Sequence, residues 1–326
     1  MEHPPAVEIE HVTEGPQVAP PHDVTPPSVQ VRTNLPYADT WIPLNRWARE
    51  RNLGTVQQIA SGITQVYALT TSNGVLTLQA HSLVAKWNGI ELRLGFEPQL
   101  IDNQPFVHAL DLKRNFEPLI QGFAATAKPN RVIVIDPGHG GSNFGTRSVV
   151  DGTNEKEFTL DWALRLAPLL ATNGWQVFLT RTNDVEVALT NRITLADEHH
   201  ADLFISLHFN APSREQAGVE TFCLTPAGMR STLTREYEDN PAMVYPNNSF
   251  DTENLQYAML LHRALHQCGL ADRGVRRARF LGVLRGQNRP AVLLEAGYLS
   301  NPREAKLIAD PEFRQKLAEA VAQALK

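Results

Sequence analysis

Cysteine is nearly absent: Cys223 and Cys268 are the only two in 326 residues. They are too few for a disulfide framework, and their separation fits neither a zinc finger nor a CxxC redox pair. Both are expected to be packed thiols, since free cysteine is usually buried. Long apolar runs are missing as well. No stretch approaches the ~20 apolar residues of a membrane-spanning helix, so no transmembrane segment is expected. There is also no excess of charge of one sign. A formal net charge of −5 and a pI near 6.1 leave no electrostatic footprint for a polyanion, which argues against nucleic acid or an anionic membrane as partner. The N-terminus MEHPPAVEIE lacks the basic and apolar regions of a signal peptide. That leaves either a cytoplasmic protein or one whose leader has been removed from the numbered chain.

What is present suffices for two domains: 42% of the residues are hydrophobic, enough for a sizeable core at this length. Residues 1–36 are rich in proline and poor in aromatics. Such a segment cannot offset its ordering entropy by apolar burial, and it reads as a flexible, partly polyproline-like tail. From residue 37 to 121 the pattern becomes a small, mainly-β domain. Residues 41–53 suggest a strand leading into an amphipathic helix that stops at Gly54. Short alternating strands are expected at 56–60, 63–69, 75–80, 91–94 and 105–108, separated by Ser-Gly, Asn-Gly and similar turn signals. No cluster of ligand-like residues falls in this part. Residues 122–130, GFAATAKPN, read as a linker.

From 131 to 326 strands alternate with helices. Strands are expected at 132–135, 175–180, 202–207, 218–224, 280–285 and 291–294, and helices at 155–172, 189–200, 253–268, 302–309 and 311–325. This rhythm predicts a three-layer α/β catalytic domain with a largely parallel twisted sheet. Residues 225–251, with Tyr237, Tyr245 and Phe250 among polar neighbours, exceed what a strand-to-helix connection needs. They are expected either to border the active-site groove or to form a plain surface loop.

Three apolar strands end in ionisable residues. VIVI runs into Asp136 and His139, LFISL into His208, and AVLL into Glu295, while Glu155 opens the helix after the His139 loop. In a parallel sheet these carboxyl ends lie along one edge. Two imidazoles and a carboxylate make an open zinc set with a position left for water, and a further carboxylate is the natural general base. Each residue also has a plainer explanation. His139 can be a loop residue, His208 can cap backbone groups, and Glu155 is favoured at a helix start by the dipole. Glu295 is the exception, because a carboxylate closing an apolar strand is costly to bury without a purpose.

The ordered motifs VIVIDPGHGG, NEKEFTLDWALRL, LFISLHFNA and PAVLLEAGYLSNPREAKLI resemble those of the zinc-dependent N-acetylmuramoyl-L-alanine amidases of the amidase-3 type, across residues 131–326. The resemblance implies one Zn2+ ion held by His139, Glu155 and His208, with Glu295 as the catalytic glutamate. Tyr298 stands where that family often has Phe. Asp136 is a candidate to orient a ligand imidazole, or else caps its turn. Asn210 is a candidate substrate contact, or else fixes its own loop. Arg181 and Arg192 are read as helix–sheet salt links, and the glycines around His139 as leaving room for a bulky glycopeptide.

The implied reaction is hydrolysis of the bond between N-acetylmuramic acid and L-alanine in peptidoglycan. The alternatives are a catalytically inactive peptidoglycan-binding module and a zinc peptidase acting on the stem peptide. A peptidoglycan substrate implies a periplasmic or extracellular site of action. The need for a protein activator leaves no trace in the residues. In the N-terminal part, WIPLNRWARERNLG, GIELRLG and IDNQPFVHALDL resemble the small N-terminal domain of some copper amine oxidases. That module carries no catalytic residues and implies a binding or spacing role.

Overall fold

A computed structural model describes residues 30–31, 40–123, 130–211, 213–234 and 239–326. The proline-rich tail lies outside these residues except at 30–31, and so does most of the linker.

The chain opens with β1 (Gln30–Val31), followed by β2 (Trp41–Pro43) leading directly into α1 (Leu44–Glu50). An antiparallel meander follows: β3 (Val56–Ala60), β4 (Val66–Thr70), β5 (Val75–Gln79), β6 (Val84–Trp87) and β7 (Ile90–Arg93). Next, β8 (Gln99–Ile101) and β9 (Gln104–His108) join β2 in a three-stranded sheet. A helical segment follows, formed by α2 (Ala109–Asp111), a π-helical turn (Leu112–Phe116) and α3 (Glu117–Gln121). The second half contains β10 (Arg131–Pro137), α4 (Glu155–Thr172), β11 (Trp175–Leu179), α5 (Leu189–Glu198), β12 (Leu203–Asn210) and β13 (Val219–Cys223). It ends with β14 (Met243–Val244), α6 (Asp251–His266), β15 (Asp272–Arg277), α7 (Gly282–Arg285), β16 (Ala291–Tyr298), α8 (Pro302–Ala309) and α9 (Pro311–Ala324).

The main sheet has the order β11-β10-β12-β16-β13-β15-β7-β6-β5-β4-β3. It is parallel from β11 to β16, as expected of strands that read as unbroken apolar runs. At β13 the direction reverses, and β15 runs parallel to β13. The sheet then crosses into the N-terminal half through β7, where Leu92 pairs with Val275. One face is covered by α4, α6 and α9. Its core is continuous across both halves, from Trp47, Leu69 and Leu92 to Trp162, Leu261 and Val321. On the other face α5 and α7 cover a smaller cluster around Val134, Phe204, Phe222 and Leu293. The three-layer α/β expectation thus holds, with a mixed sheet. Cys223 and Cys268 are buried free thiols.

One expectation fails. Residues 280–285 do not form a strand; Gly282–Arg285 is a short helix. The strand lies earlier, at Asp272–Arg277, where DRGVRR has too few apolar residues to show an alternation. Residues 225–251, described except at 235–238 with Tyr237, follow β13 out of the sheet. Because β13 is antiparallel to β16, the chain leaves it toward the beginning of β16, away from the edge that holds His208. There Asn247 donates to the Arg289 carbonyl and Asn254 accepts from the Ala291 N–H.

Candidate active site

β10 ends at Pro137, and the Gly138 N–H closes onto the Leu207 carbonyl at 3.0 Å. The chain then turns through His139, whose φ of +64° lies in the left-handed region that few residues with a β-carbon occupy. Two buried arginines hold this turn by its carbonyls. Arg192 donates to the Pro137 and His139 oxygens at 3.0 and 2.9 Å. Arg181 donates to Pro137 and Gly138 at 3.0 and 2.9 Å, and to Lys156 on α4 at 2.8 Å. Arg192 makes the expected salt link, to Asp136, whereas the hydrogen bonds of Arg181 go to backbone carbonyls and the Thr159 hydroxyl. Burial, reinforced by neighbouring Arg192, lowers the Arg181 pKa to about 10.

Asp136 lies in the sheet below the turn. It accepts from the Thr180 and Ser206 hydroxyls at 2.6 and 2.7 Å and from Arg192. Its bonds therefore tie strands together, and none goes to an imidazole. The group that meets His139 at Nδ1 is Asn143, whose Oδ1 lies 2.7 Å away.

Glu155 is the first residue of α4, behind an Asn154–Glu157 capping box. Its carboxylate is buried and joins the two imidazoles: Oε2 is 3.0 Å from His139 Nε2, and Oε1 is 2.9 Å from His208 Nδ1. The Thr146 and Phe209 N–H groups also donate to it, at 3.0 and 3.1 Å. Burial by itself favours the neutral acid, but the bonds from both histidines outweigh it and hold the Glu155 carboxyl well below its usual range. His139 shows the complementary balance. Burial opposes its protonation, yet the Glu155 carboxylate and Asn143 raise its pKa. The ligand atoms of His139, Glu155 and His208 lie within 4.8 Å of one another. Two nitrogens and one oxygen at that spacing fit a zinc ion that keeps a coordination position for water.

The glycines near His139 do not leave room for substrate. A β-carbon on Gly138 would lie 2.3 Å from the His208 ring, and one on Gly145 would lie 2.6 Å from Glu155 Oε2 and 2.7 Å from the His139 ring. Gly140 and Gly141 pack in the same way against the backbone at Val185 and Glu186. The loop is glycine-rich because it closes tightly on its own site.

Glu295 is the direct cross-strand partner of His208 on β12 and of Glu220 on β13. The row His208–Glu295–Glu220 therefore occupies one face of the sheet. Glu220 is buried and accepts from Asn210 Nδ2 at 2.8 Å, with Arg273 and Arg276 at 3.2 and 2.8 Å. Asn210 is thus engaged with Glu220 and, through Oδ1, with the Ala211 N–H. Burial, and then the negative charge of Glu220, push the Tyr298 phenol well above its usual pKa.

The sequence reading passed over Asn143 and Glu220. Glu220 carried the same signal as Glu295, a carboxylate inside an apolar strand. Asn143 carried only its position four residues after His139.

Comparison with known proteins identifies a family. Residues 133–326 match the family of N-acetylmuramoyl-L-alanine amidases. The N-acetylmuramoyl-L-alanine amidase AmiA of Escherichia coli K12 is 30% identical over 218 residues, covering 59% of this chain and 74% of that protein. The amidase AmiC of Neisseria meningitidis serogroup B is 34% identical over 215 residues, covering 59% of this chain and 51% of that protein. The crystal structure of an N-acetylmuramoyl-L-alanine amidase from Clostridium difficile 630 aligns with a TM-score of 0.51 at 29% identity, covering 60% of this chain and 95% of that one.

Proposed function

The chain belongs to the N-acetylmuramoyl-L-alanine amidase family, and from that premise we propose that it hydrolyses the amide between N-acetylmuramic acid and L-alanine in peptidoglycan, with zinc as cofactor. The observation that carries this reading is the convergence of His139, Glu155 and His208 within 4.8 Å, with Glu295 in register beside His208.

His139, Glu155 and His208 would hold the ion. Bound there, zinc supplies Lewis acidity that polarises the scissile carbonyl and makes water nucleophilic near neutral pH. Glu295 takes a proton from the attacking water and returns it to the leaving alanine nitrogen. Arg181 and Arg192 keep the His139 turn fixed through its carbonyls, so that the imidazole is positioned before substrate arrives.

We assign catalysis to residues 131–326 and an accessory role to residues 37–121, in keeping with the resemblance of the latter to the copper amine oxidase N-terminal domain. Residues 1–36 would act as a tether and 122–130 as the connection. The substrate lies outside the cytoplasmic membrane, so the protein would work in the periplasm or outside the cell. Among the described residues, no helix is long and apolar enough to cross a membrane.

Product analysis on purified cell wall, with and without added zinc, tests the reading. Release of stem peptides with a free L-alanine amine from intact glycan strands is the expected result. Cuts within the peptide would instead support a zinc peptidase, and retention on the wall without release would support a binding module.

A further inference from the structure

The sheet does not stop at the catalytic half. Across β16, β13, β15 and β7, the side chains that share the face of His208 form a row of ionic groups. Glu295 and Glu220 follow from the pairing with His208. Arg276 is the partner of Phe222, two residues along from Glu220, and so projects to that face as well. Val275 pairs with Leu92, so Arg276 and Arg93, each the next residue, point to the same side.

Where β15 meets β7, a cleft of about 470 Å³ opens, lined by Arg93, Arg230 and Arg276 together with Trp41, Phe96 and Glu97. Arg93 meets Glu91 at 2.9 Å and Arg276 meets Glu220 at 2.8 Å, each through Nε. A guanidinium carries five donors, so one contact at Nε leaves each arginine able to take a carboxylate from outside. Three guanidiniums around one cleft are unexpected in a chain of net charge −5. Trp41 and Phe96 add apolar walls suited to small side chains.

We propose that this cleft binds the carboxylates of the substrate's own stem peptide, an inference that rests on the amidase reading above. The distances agree. From β12 to β15 there are three strand spacings of ~4.8 Å, about 14 Å across the sheet, and Arg276 stands two residues, about 7 Å, along its strand from the level of Glu220, which makes about 16 Å; five extended residues span about 17 Å. A stem whose L-alanine end sits at His208 and Glu295 brings its acidic distal part to the arginines. Arginine pairs with carboxylate in a directional, two-point fashion, so the cleft selects for stem length and charge. It also gives the N-terminal half a task, since Trp41, Arg93 and Phe96 all come from it.

The test uses the zinc-loaded full chain and two soluble muramoyl-L-alanine amides, one with a complete acidic stem and one ending at the alanine. The wild type should prefer the complete stem by about tenfold in kcat/KM, and in the Arg93→Ala/Arg230→Ala variant that ratio should fall to near one. In parallel, titration calorimetry should show the free acidic tetrapeptide binding about tenfold more tightly than the same peptide with its carboxylates amidated. That arm needs no variant. A wild-type ratio near one, a variant that keeps the ratio, or equal binding of the two peptides would overturn the proposal. If neither amide is hydrolysed, the amidase reading fails, and the calorimetry then decides the cleft separately.

Discussion

Glu295 stands directly across the β12–β16 pair from His208, so a carboxylate and an imidazole from two distant motifs are held side by side by backbone hydrogen bonding. Neighbouring strands are ~4.8 Å apart, and parallel register fixes that separation independently of any loop. Glu220 takes the place on the other flank of Glu295. Like charges directly opposite are unfavourable, and here Asn210, Arg273 and Arg276 surround Glu220. The site therefore divides into a rigid row on the sheet and a loop, His139 to Gly145, folded down onto it.

The tight closure of that loop predicts that Gly138→Ala impairs the site without unfolding the protein. The added methyl meets the His208 ring at 2.3 Å, far inside van der Waals contact, so the ring must move. Metal affinity should fall at least tenfold, measured by competition with a chromophoric chelator, with thermal unfolding shifted by only a few degrees.

Asn143→Ala removes the partner of His139 Nδ1. Groups that orient a ligand imidazole typically change metal affinity by 10–100-fold, and a loss in that range is expected. Asp136→Asn should behave differently. Its bonds go to Thr180, Ser206 and Arg192, so stability should drop more than metal affinity, as read by denaturant titration alongside chelator competition.

Arg192→Ala leaves the Asp136 carboxylate buried without its cation. Breaking a buried pair by removing one partner costs about 3–5 kcal/mol, and urea unfolding should show a loss of that order. Adding Asp136→Asn to the same chain should recover part of the loss, because the stranded charge is then gone.

Asp161 on α4 carries a pH-dependent tie to α9. Burial would raise its pKa, but hydrogen bonds from Arg165 and Arg314 outweigh this and hold the carboxyl below its usual 3.8. A depressed folded-state pKa stabilises above the unfolded value and is lost as pH falls through the folded one. Asp161→Asn should therefore cost about 1 kcal/mol at pH 7 for a half-exposed pair. The gap to wild type should narrow as pH falls below the ordinary carboxylate range in denaturation curves taken across pH.

Much of this fold was legible because β10, β12 and β16 are buried on both faces and read as continuous apolar runs ending in ionisable residues. The order of the motifs then placed His139, Glu155, His208 and Glu295 at one edge. Other features depended on partners the sequence does not name. β15 is half arginine and took its strand state from pairing with β13 and β7, not from alternation. Residues 282–285 look like a strand by composition, yet they pack as a helix over Leu293 and Phe222. The position of residues 225–251 followed from the antiparallel setting of β13, which no local pattern encodes. The glycines around His139 were read as leaving room for a glycopeptide, because the side chains and backbone they approach come from distant parts of the chain.

The central claim is that three residues hold the metal while a fourth moves the proton. Zinc content and turnover measured side by side in Glu295→Gln and His208→Ala test it most directly. Glu295→Gln should keep about one zinc per chain and lose at least a thousandfold in kcat on peptidoglycan, while His208→Ala should lose both metal and activity. Full activity in Glu295→Gln, or undiminished zinc binding in His208→Ala, would contradict the account.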